Sequence, residues 1–203
     1  MARVSQEYLD ARRRQILDAA RRCFVGNGFH ATSMQDILRE ANLSAGAVYR
    51  YFKSKDEIIA AIGFSNIAAF THAVEEVLQT EDPPPLEEAL GRLLDALERL
   101  DEEHDQAKIT LQAWSEALRS PPLAAHVEEG WADLTSSLAG LVETYQERGD
   151  ISSDVPADHI ARVLVGLLHG FVVRRAVLGD GELEAFRNGL RALNRAPLVR
   201  HET

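Results

Sequence analysis

Cysteine is almost absent from this sequence of 203 residues. Cys23 is its only cysteine, so no intrachain disulfide can form and a zinc site built on several cysteines is excluded. An uninterrupted apolar run of about 18 residues, long enough to span a membrane, is also missing. Residues 1–7 lack the apolar segment of a secretory signal peptide. We therefore expect a protein of the reducing cytoplasm that does not enter a membrane.

The alternation of apolar and polar residues that marks β-strands is missing as well, and no internal repeat is found. Apolar residues instead recur every three or four positions along most of the chain, and proline or glycine separates one such stretch from the next. This pattern predicts an all-α fold of about nine helices. The predicted helices cover residues 8–25, 34–41 and 45–52, a long helix from 55, and residues 86–100, 109–118, 123–145, 160–178 and 183–193.

Local signals predict where the first helices begin and end. The Gly-Asn-Gly sequence at 26–28 should stop the first helix, because glycine accepts the left-handed backbone of a C-terminal cap. Ser44 is predicted to cap the third helix. Two serines are each followed three residues later by an acid, which predicts two capping boxes: Ser33 with Asp36, and Ser54 with Glu57.

Charge is distributed unevenly along the chain. The whole sequence has a net charge of −10, but residues 1–55 hold ten Lys or Arg and five Asp or Glu, a balance of +5. The rest of the chain therefore carries −15. A basic head on an acidic body suggests that the head binds a polyanion, although a chance scatter of surface charge gives the same balance.

Two short predicted helices, 34–41 and 45–52, are joined by a three-residue turn, which is the pattern of a helix-turn-helix. The second helix opens with an Ala-Gly-Ala sequence at 45–47, and small residues there would let its backbone enter the DNA major groove. Tyr49 and Tyr51 are amphipathic, since a phenol can bind phosphate while its ring contacts sugar or a thymine methyl. These features favour duplex DNA as the partner.

This stretch resembles the DNA-binding head of the TetR family of transcriptional regulators. The matching residues lie between positions 12 and 62 and are Gly28-Phe29, Thr32-Ser33, Asp36-Ile37, Ala41, Ser44, Gly46, Val48-Tyr49, Tyr51-Phe52, and Lys55 with Glu57. The resemblance implies a homodimer that reads a palindromic operator. It also implies a helix-turn-helix domain in residues 1–55 and a helical domain for ligand binding and dimerisation in residues 56–203.

The family positions that usually touch DNA fall on nine residues here. Lys55 would add charge beside a helix N-terminus, where phosphate binds readily. Two assignments stay open: Gln35 could be an ordinary exposed helix residue, and Tyr51 could belong to the core. The nine candidates are Ser33, Gln35, Ser44, Ala45, Gly46, Ala47, Tyr49, Tyr51 and Lys55.

Large or polar side chains near the later apolar stripes are candidates for a ligand cavity between helices. Ordinary core packing is the alternative for each of them. The ligand is expected to be a small, mostly apolar molecule, neutral or cationic. The candidates are Phe70, His72, Trp114, Trp131, Tyr145 and His169.

The last two predicted helices have broad apolar faces, which would suit a four-helix interface between two subunits. Burial within one subunit is the alternative. The candidate interface residues are Leu164, Leu167, Leu168, Phe171, Phe186 and Leu190.

Rival functions find less support in the sequence. The G-x-G-x-x-A sequence at 26–31 follows a helix and not a strand, so it does not predict a dinucleotide site. No nucleophile elbow, H-E-x-x-H motif or metal-binding cluster occurs, so neither an enzyme nor a cofactor is expected. A protein-binding helical adaptor would leave the basic head unexplained. We therefore expect a ligand-responsive DNA-binding regulator, a repressor released from its operator by a small molecule.

Overall fold

The computed structural model describes residues 5–80, 82–179 and 183–195, excepting the side chains of 102–104, 106 and 193–195. Within these ranges the chain forms nine α-helices and no strand, which confirms the predicted all-α class. The helices are α1 Gln6–Asn27, α2 Met34–Ala41, α3 Ala45–Tyr49, α4 Lys55–Leu78, α5 Leu86–His104, α6 Gln106–Ala117, α7 Pro121–Glu147, α8 Ala157–Leu178 and α9 Leu183–Arg195.

The chain divides into two compact units. The first contains the residues up to Ala68 together with His104–Trp131, and the second contains Ala69–Glu103 and the residues from Ala132 onward. The helix-turn-helix elements α2 and α3 therefore share a unit with α6 and the start of α7. The functional boundary expected after residue 55 stays a prediction.

The core of the first unit is built from the apolar faces of α1 to α4, and α6 and α7 close it. Its central side chains are almost fully buried: Ile16, Phe24, Ile37, Val48, Ile58, Ile62, Ile109 and Leu123. Burial of each such side chain stabilises the fold by about 1.5–3 kcal/mol. Gly130 of α7 allows a close approach of α4, because a Cβ there would lie 2.6 Å from Ile67 Cδ1.

The second unit has its own core and a small apolar cavity that is partly open to solvent. Tyr145 is fully buried, its hydroxyl donates to Pro84 O at 2.6 Å, and burial raises the pKa of the phenol. The cavity measures about 30 Å³ and is lined by apolar side chains alone: Phe70, Leu90, Leu93, Leu94, Leu138, Leu164, Leu167, Leu168, Phe186 and Leu190.

Helix α4 has the length and composition of a membrane-spanning helix. Its most apolar 18-residue window has a mean hydropathy of 1.4, and 33% of that window is buried within the protein. The sequence criterion missed this helix because Ser65 and Asn66 interrupt the apolar run. Core helices of globular proteins pass the same test, and α4 places Ile58, Ile59 and Ile62 in the core of the first unit at 0% exposure.

Candidate nucleic-acid interface

The caps of the helix-turn-helix follow the local sequence signals. Gly28 ends α1 with a φ of 80°, in the positive range that glycine accepts most easily. Ser33 and Asp36 form the predicted capping box, in which Ser33 Oγ accepts from Asp36 N and Asp36 Oδ2 accepts from Ser33 N at 2.9 Å. Ser44 Oγ accepts from Ala47 N and caps α3. These three predictions are confirmed.

Two local predictions need correction. Ser54 Oγ accepts from Glu57 N at 3.1 Å as expected, but the Glu57 carboxylate accepts from Lys53 N and not from the cap residue. Helix α3 ends at Tyr49 and does not reach residue 52, because Tyr51 N donates to Val48 O, only three residues back, and so tightens the chain into a turn. The candidate recognition helix α3 is therefore five residues long.

Six of the nine predicted DNA-contacting residues are exposed, and five of these six lie at or beside the N-terminal ends of α2 and α3. A Cβ placed on Gly46 would meet no heavy atom within 4 Å, so the backbone is open to an approaching partner at this point. Ala47, Tyr51 and Lys55 are partly buried. The exposed candidates, which we call the reading face, are Ser33, Gln35, Ser44, Ala45, Gly46 and Tyr49.

Tyr51 combines the two roles that the sequence left open. Its ring packs against the core cluster of the first unit. It also lines an open groove of about 690 Å³, whose other walls include Phe64, Leu123 and Glu129. One part of the side chain is therefore core and another part is accessible.

Lys55 is held by the protein itself. Its Nζ donates to Phe29 O at 2.6 Å and to Thr32 O at 2.8 Å, and it lies 4.3 Å from the centroid of the Phe29 ring. An ammonium group has three donors, so one N–H remains for a phosphate. Lys55 thus anchors the connection between α1 and α2 at the edge of the reading face.

The positive charge of the head is partly neutralised within it. Arg22 pairs with Glu40 at 2.6 Å, and Arg39 pairs with Asp36 at 3.3 Å. Hydrogen bonds from the Ser33 side chain and backbone lower the pKa of Asp36, so this acid stays ionised. Arg14 and Arg50 are exposed and have no ion-pair partner in the part of the chain that the structure describes.

A residue that the sequence reasoning missed reaches the head from α6. Gln112 Oε1 accepts from Phe29 N at 2.7 Å, and Gln112 Nε2 donates to Phe24 O at 3.2 Å. These contacts join residues 83 and 88 positions apart, so no local pattern could have revealed them.

Cys23 lies inside the head at 8% exposure, and burial raises the pKa of its thiol. A buried neutral thiol is a poor nucleophile. Among the described residues, no group of three or more His, Cys, Asp or Glu side chains is placed to hold a metal ion.

The ligand candidates occupy varied environments. Trp114 and Trp131 lie edge to face with ring centroids 5.8 Å apart, and Phe70 lines the apolar cavity of the second unit. His72 is exposed and faces Glu76 at 3.3 Å. His169 is half-buried, and burial lowers the pKa of its imidazole. Their role in ligand binding stays a prediction, as it does for the buried Tyr145.

Among the interface candidates Phe171 is buried and the other five are partly buried, and their role in an interface stays a prediction. Phe171 is 5% exposed and contacts Phe186 with ring centroids 5.2 Å apart. The other four, Leu164, Leu167, Leu168 and Leu190, line the same apolar cavity as Phe186. The exposed apolar residues of α8 are different ones: Val163, Val173, Val177 and Leu178.

Comparison with known proteins agrees with this architecture. Residues 16–62 match the family described as bacterial regulatory proteins, tetR family, and residues 85–195 match the C-terminal family of BetI-type transcriptional repressors. The HTH-type transcriptional regulator UidR of Escherichia coli strain K12 is 29% identical over 192 residues, covering 89% of this chain and 90% of UidR.

Solved structures show the same fold over nearly the whole length. Salmonella enterica GusR has a TM-score of 0.77 and 26% identity, covering 95% of this chain and 97% of that one. Thermus thermophilus FadR, a TetR family repressor in complex with lauroyl-CoA, has a TM-score of 0.65 and 23% identity, covering 93% and 96%. The relatives are regulators and not enzymes. With a helix-turn-helix at its N-terminus and a repressor family matched over more than half its length, this chain belongs to the TetR family of transcriptional regulators.

Proposed function

We propose that the chain is a dimeric repressor that binds a palindromic operator through its reading face and is released by a small molecule. The observation that carries this proposal is the accessibility of Ser33, Gln35, Ser44, Ala45 and Gly46 at the starts of two adjacent helices. Small side chains there allow the backbone to approach base edges, while hydroxyl and amide groups can bind bases or phosphates.

Dimerisation is proposed through α8 and α9. Helix α8 exposes small and apolar residues at intervals of three and four, with Val163 at 63% exposure and Val177 at 65%. Gly166 and Gly170 lie in the same stripe, and no heavy atom is within 4 Å of a Cβ built on either. A second copy of the helix could therefore approach closely. The predicted residues such as Leu168 and Phe171 would support this surface from inside the protomer.

A dimer formed through α8 and α9 would carry two recognition helices. On a palindromic operator, these helices would bind successive major grooves about 34–36 Å apart. A small molecule releases such a dimer only if it binds the non-operator arrangement more tightly. Trp114 and Trp131, whose rings lie edge to face with centroids 5.8 Å apart, are the ligand contacts that we propose. The solved complex of FadR with lauroyl-CoA shows that one relative in this fold binds a ligand. A protein that binds a chromosomal operator would act in the cytoplasm, which we also propose.

Selection of bound duplexes from random sequences tests the DNA-binding part. We expect enrichment of one palindromic sequence, with affinity that falls steeply as salt rises because each phosphate contact releases counterions. Failure to enrich any sequence, by a protein that is folded and dimeric, would contradict the proposal.

A displacement screen on the selected duplex tests the effector. The expected result is a small apolar molecule that lowers operator affinity by about 5–150-fold, the usual range of coupling free energies. Trp114→Phe and Trp131→Phe should weaken the response to that molecule without weakening operator binding. If both variants respond as the parent does, the ligand binds elsewhere.

A further inference from the structure

The connection between α1 and α2, residues 28–32, is held from two sides. Helix α4 contributes Lys55, whose ammonium binds the carbonyl oxygens of Phe29 and Thr32. Helix α6 contributes Gln112, whose amide accepts from Phe29 N and donates to Phe24 O. Both helices therefore bind the same residue, Phe29, one through its N–H and one through its carbonyl oxygen and ring.

A second contact reinforces the attachment of α6. Glu116 Oε2 lies 3.4 Å from the His30 ring nitrogen Nε2. Arg119 follows the end of α6; its guanidinium contacts the same His30 nitrogen and pairs with Glu116 Oε2 at 3.0 Å. The His30 and Arg119 side chains are exposed, at 68% and 59%, whereas Gln112 is only partly accessible. The Gln112 amide is therefore the shielded part of the attachment, where a hydrogen bond competes least with water.

The geometry of Gln112 makes it sensitive to small displacements. Phe29 N lies outside any helix, and no other acceptor for it is found in the described part of the chain, so it depends on Gln112 Oε1. A partly buried N–H without a partner is unfavourable, so Phe29 should follow α6 when that helix shifts. The Lys55 ammonium rests on Phe29, and Ser33 at the start of α2 follows directly after Thr32.

We propose that Gln112 is a positioning residue for DNA binding: through Phe29 it makes the position of α6 set the position of Lys55 and of the N-terminus of α2. This inference rests on the proposed function, since it concerns how the reading face is held for the operator. Thermodynamic linkage is reciprocal, so operator binding must also change the position of α6. The coupling can therefore be measured with DNA alone, before any effector is identified.

The reporter for this measurement is Trp114, which lies in α6 two residues beyond Gln112. The protein has two tryptophans, and Trp131→Phe leaves Trp114 as the single indole. The probe is a duplex recovered by selection from random sequences. In the Trp131→Phe background, saturation with this duplex should change the Trp114 emission.

Gln112→Met keeps the length and packing of the side chain but removes both hydrogen bonds. We expect this variant to bind the duplex with reduced affinity and, at saturating duplex, to show no Trp114 response. Gln15 offers a matched control, because its Nε2 donates to Ala41 O at 2.8 Å and its Oε1 accepts from Arg12 Nη1 at 2.6 Å, both within the head. Gln15→Met should also remove two hydrogen bonds and keep the response.

The outcomes separate the two claims. Absence of duplex binding by the parent protein contradicts the proposed function. If the parent binds the duplex without a Trp114 change, or if Gln112→Met keeps the full response, the positioning role of Gln112 is refuted. Equal loss in Gln15→Met and Gln112→Met also refutes it, because that result reports general loosening of the head. Should Gln112→Met fail to fold, Gln112→Asn is the milder variant, since it retracts the amide by one methylene.

Discussion

Gly46 offers a substitution that should separate DNA binding from folding. A Cβ at this position meets no heavy atom within 4 Å, so a larger side chain would extend into open space in the free protein. Gly46 lies in the first turn of α3 and does not need a glycine-only backbone conformation. Replacing glycine within a helix stabilises it by up to about 1 kcal/mol. Gly46→Leu should therefore leave the melting temperature unchanged or slightly raised.

Operator binding should respond in the opposite direction. On the operator, the added isobutyl group would stand between the α3 backbone and the base edges, where the parent protein has only a hydrogen. Forcing extra methylenes into a well-packed contact costs about 1–3 kcal/mol. Since about 1.4 kcal/mol corresponds to tenfold in Kd, the affinity should fall by about 5–150-fold.

A gel-shift titration against the selected duplex, paired with thermal unfolding, measures both effects. Gly63→Ala is a suitable control, because Gly63 lies in α4 with similarly open surroundings and away from the reading face. It should share the gain in helix stability and keep operator affinity. If Gly46→Leu bound the operator as tightly as the parent, the start of α3 would not enter the groove.

Four other substitutions test separate features. Hydrogen bonds from Ser33 lower the pKa of Asp36, so its contribution to stability is complete above about pH 4, the usual aspartate value, and is lost as the pH falls through the lower folded-state pKa. Asp36→Asn should flatten this acid limb in a plot of melting temperature against pH, and an unchanged limb would assign it to other carboxylates. Lys55→Ala should lower the melting temperature by freeing two carbonyl groups, and should reduce the salt slope of operator binding by about one if the ammonium also touches a phosphate. Val177→Glu, on the exposed stripe of α8, should give a folded monomer by sedimentation, whereas Phe171→Glu should unfold the protomer because it buries a charge against Phe186. A Val177→Glu protein that remains dimeric would place the interface on another surface.

The features that sequence predicted well depend on contacts between near neighbours. The capping box joins Ser33 to Asp36, only three positions further along the chain. The end of α1 depends on the backbone conformation of a single residue, Gly28. Glu57 shows the limit of such rules: its carboxylate could reach two adjacent N–H groups, and the fold selected that of Lys53. The sequence pattern correctly predicted that Glu57 binds a backbone N–H just before α4. Which N–H it binds depends on the conformation of residues 53 and 54, which the pattern does not specify.

Features that arise from tertiary packing were not predictable in the same way. Helix α8 is apolar on more than one side, so periodicity could not show whether Phe171 or Val177 faces the core. From the sequence alone, Lys55 was expected to be free to bind phosphate. Its hydrogen bond to Phe29 O joins residues 26 positions apart, so no local pattern could predict it. Gln112 carried no signal at all, since an isolated glutamine on a helix is ordinary until its partners are known.

The burial of Cys23 makes this protein convenient for spectroscopic labelling. A single thiol that is shielded from solvent and resists ionisation should react slowly with maleimides, so the natural sequence needs no cysteine removal. One cysteine introduced at an exposed head position, such as Arg50, would then be labelled selectively. In a symmetric dimer the label would appear once on each head. With a spin label, electron–electron double resonance could then measure the distance between the two labels, and so between the two heads, with and without operator.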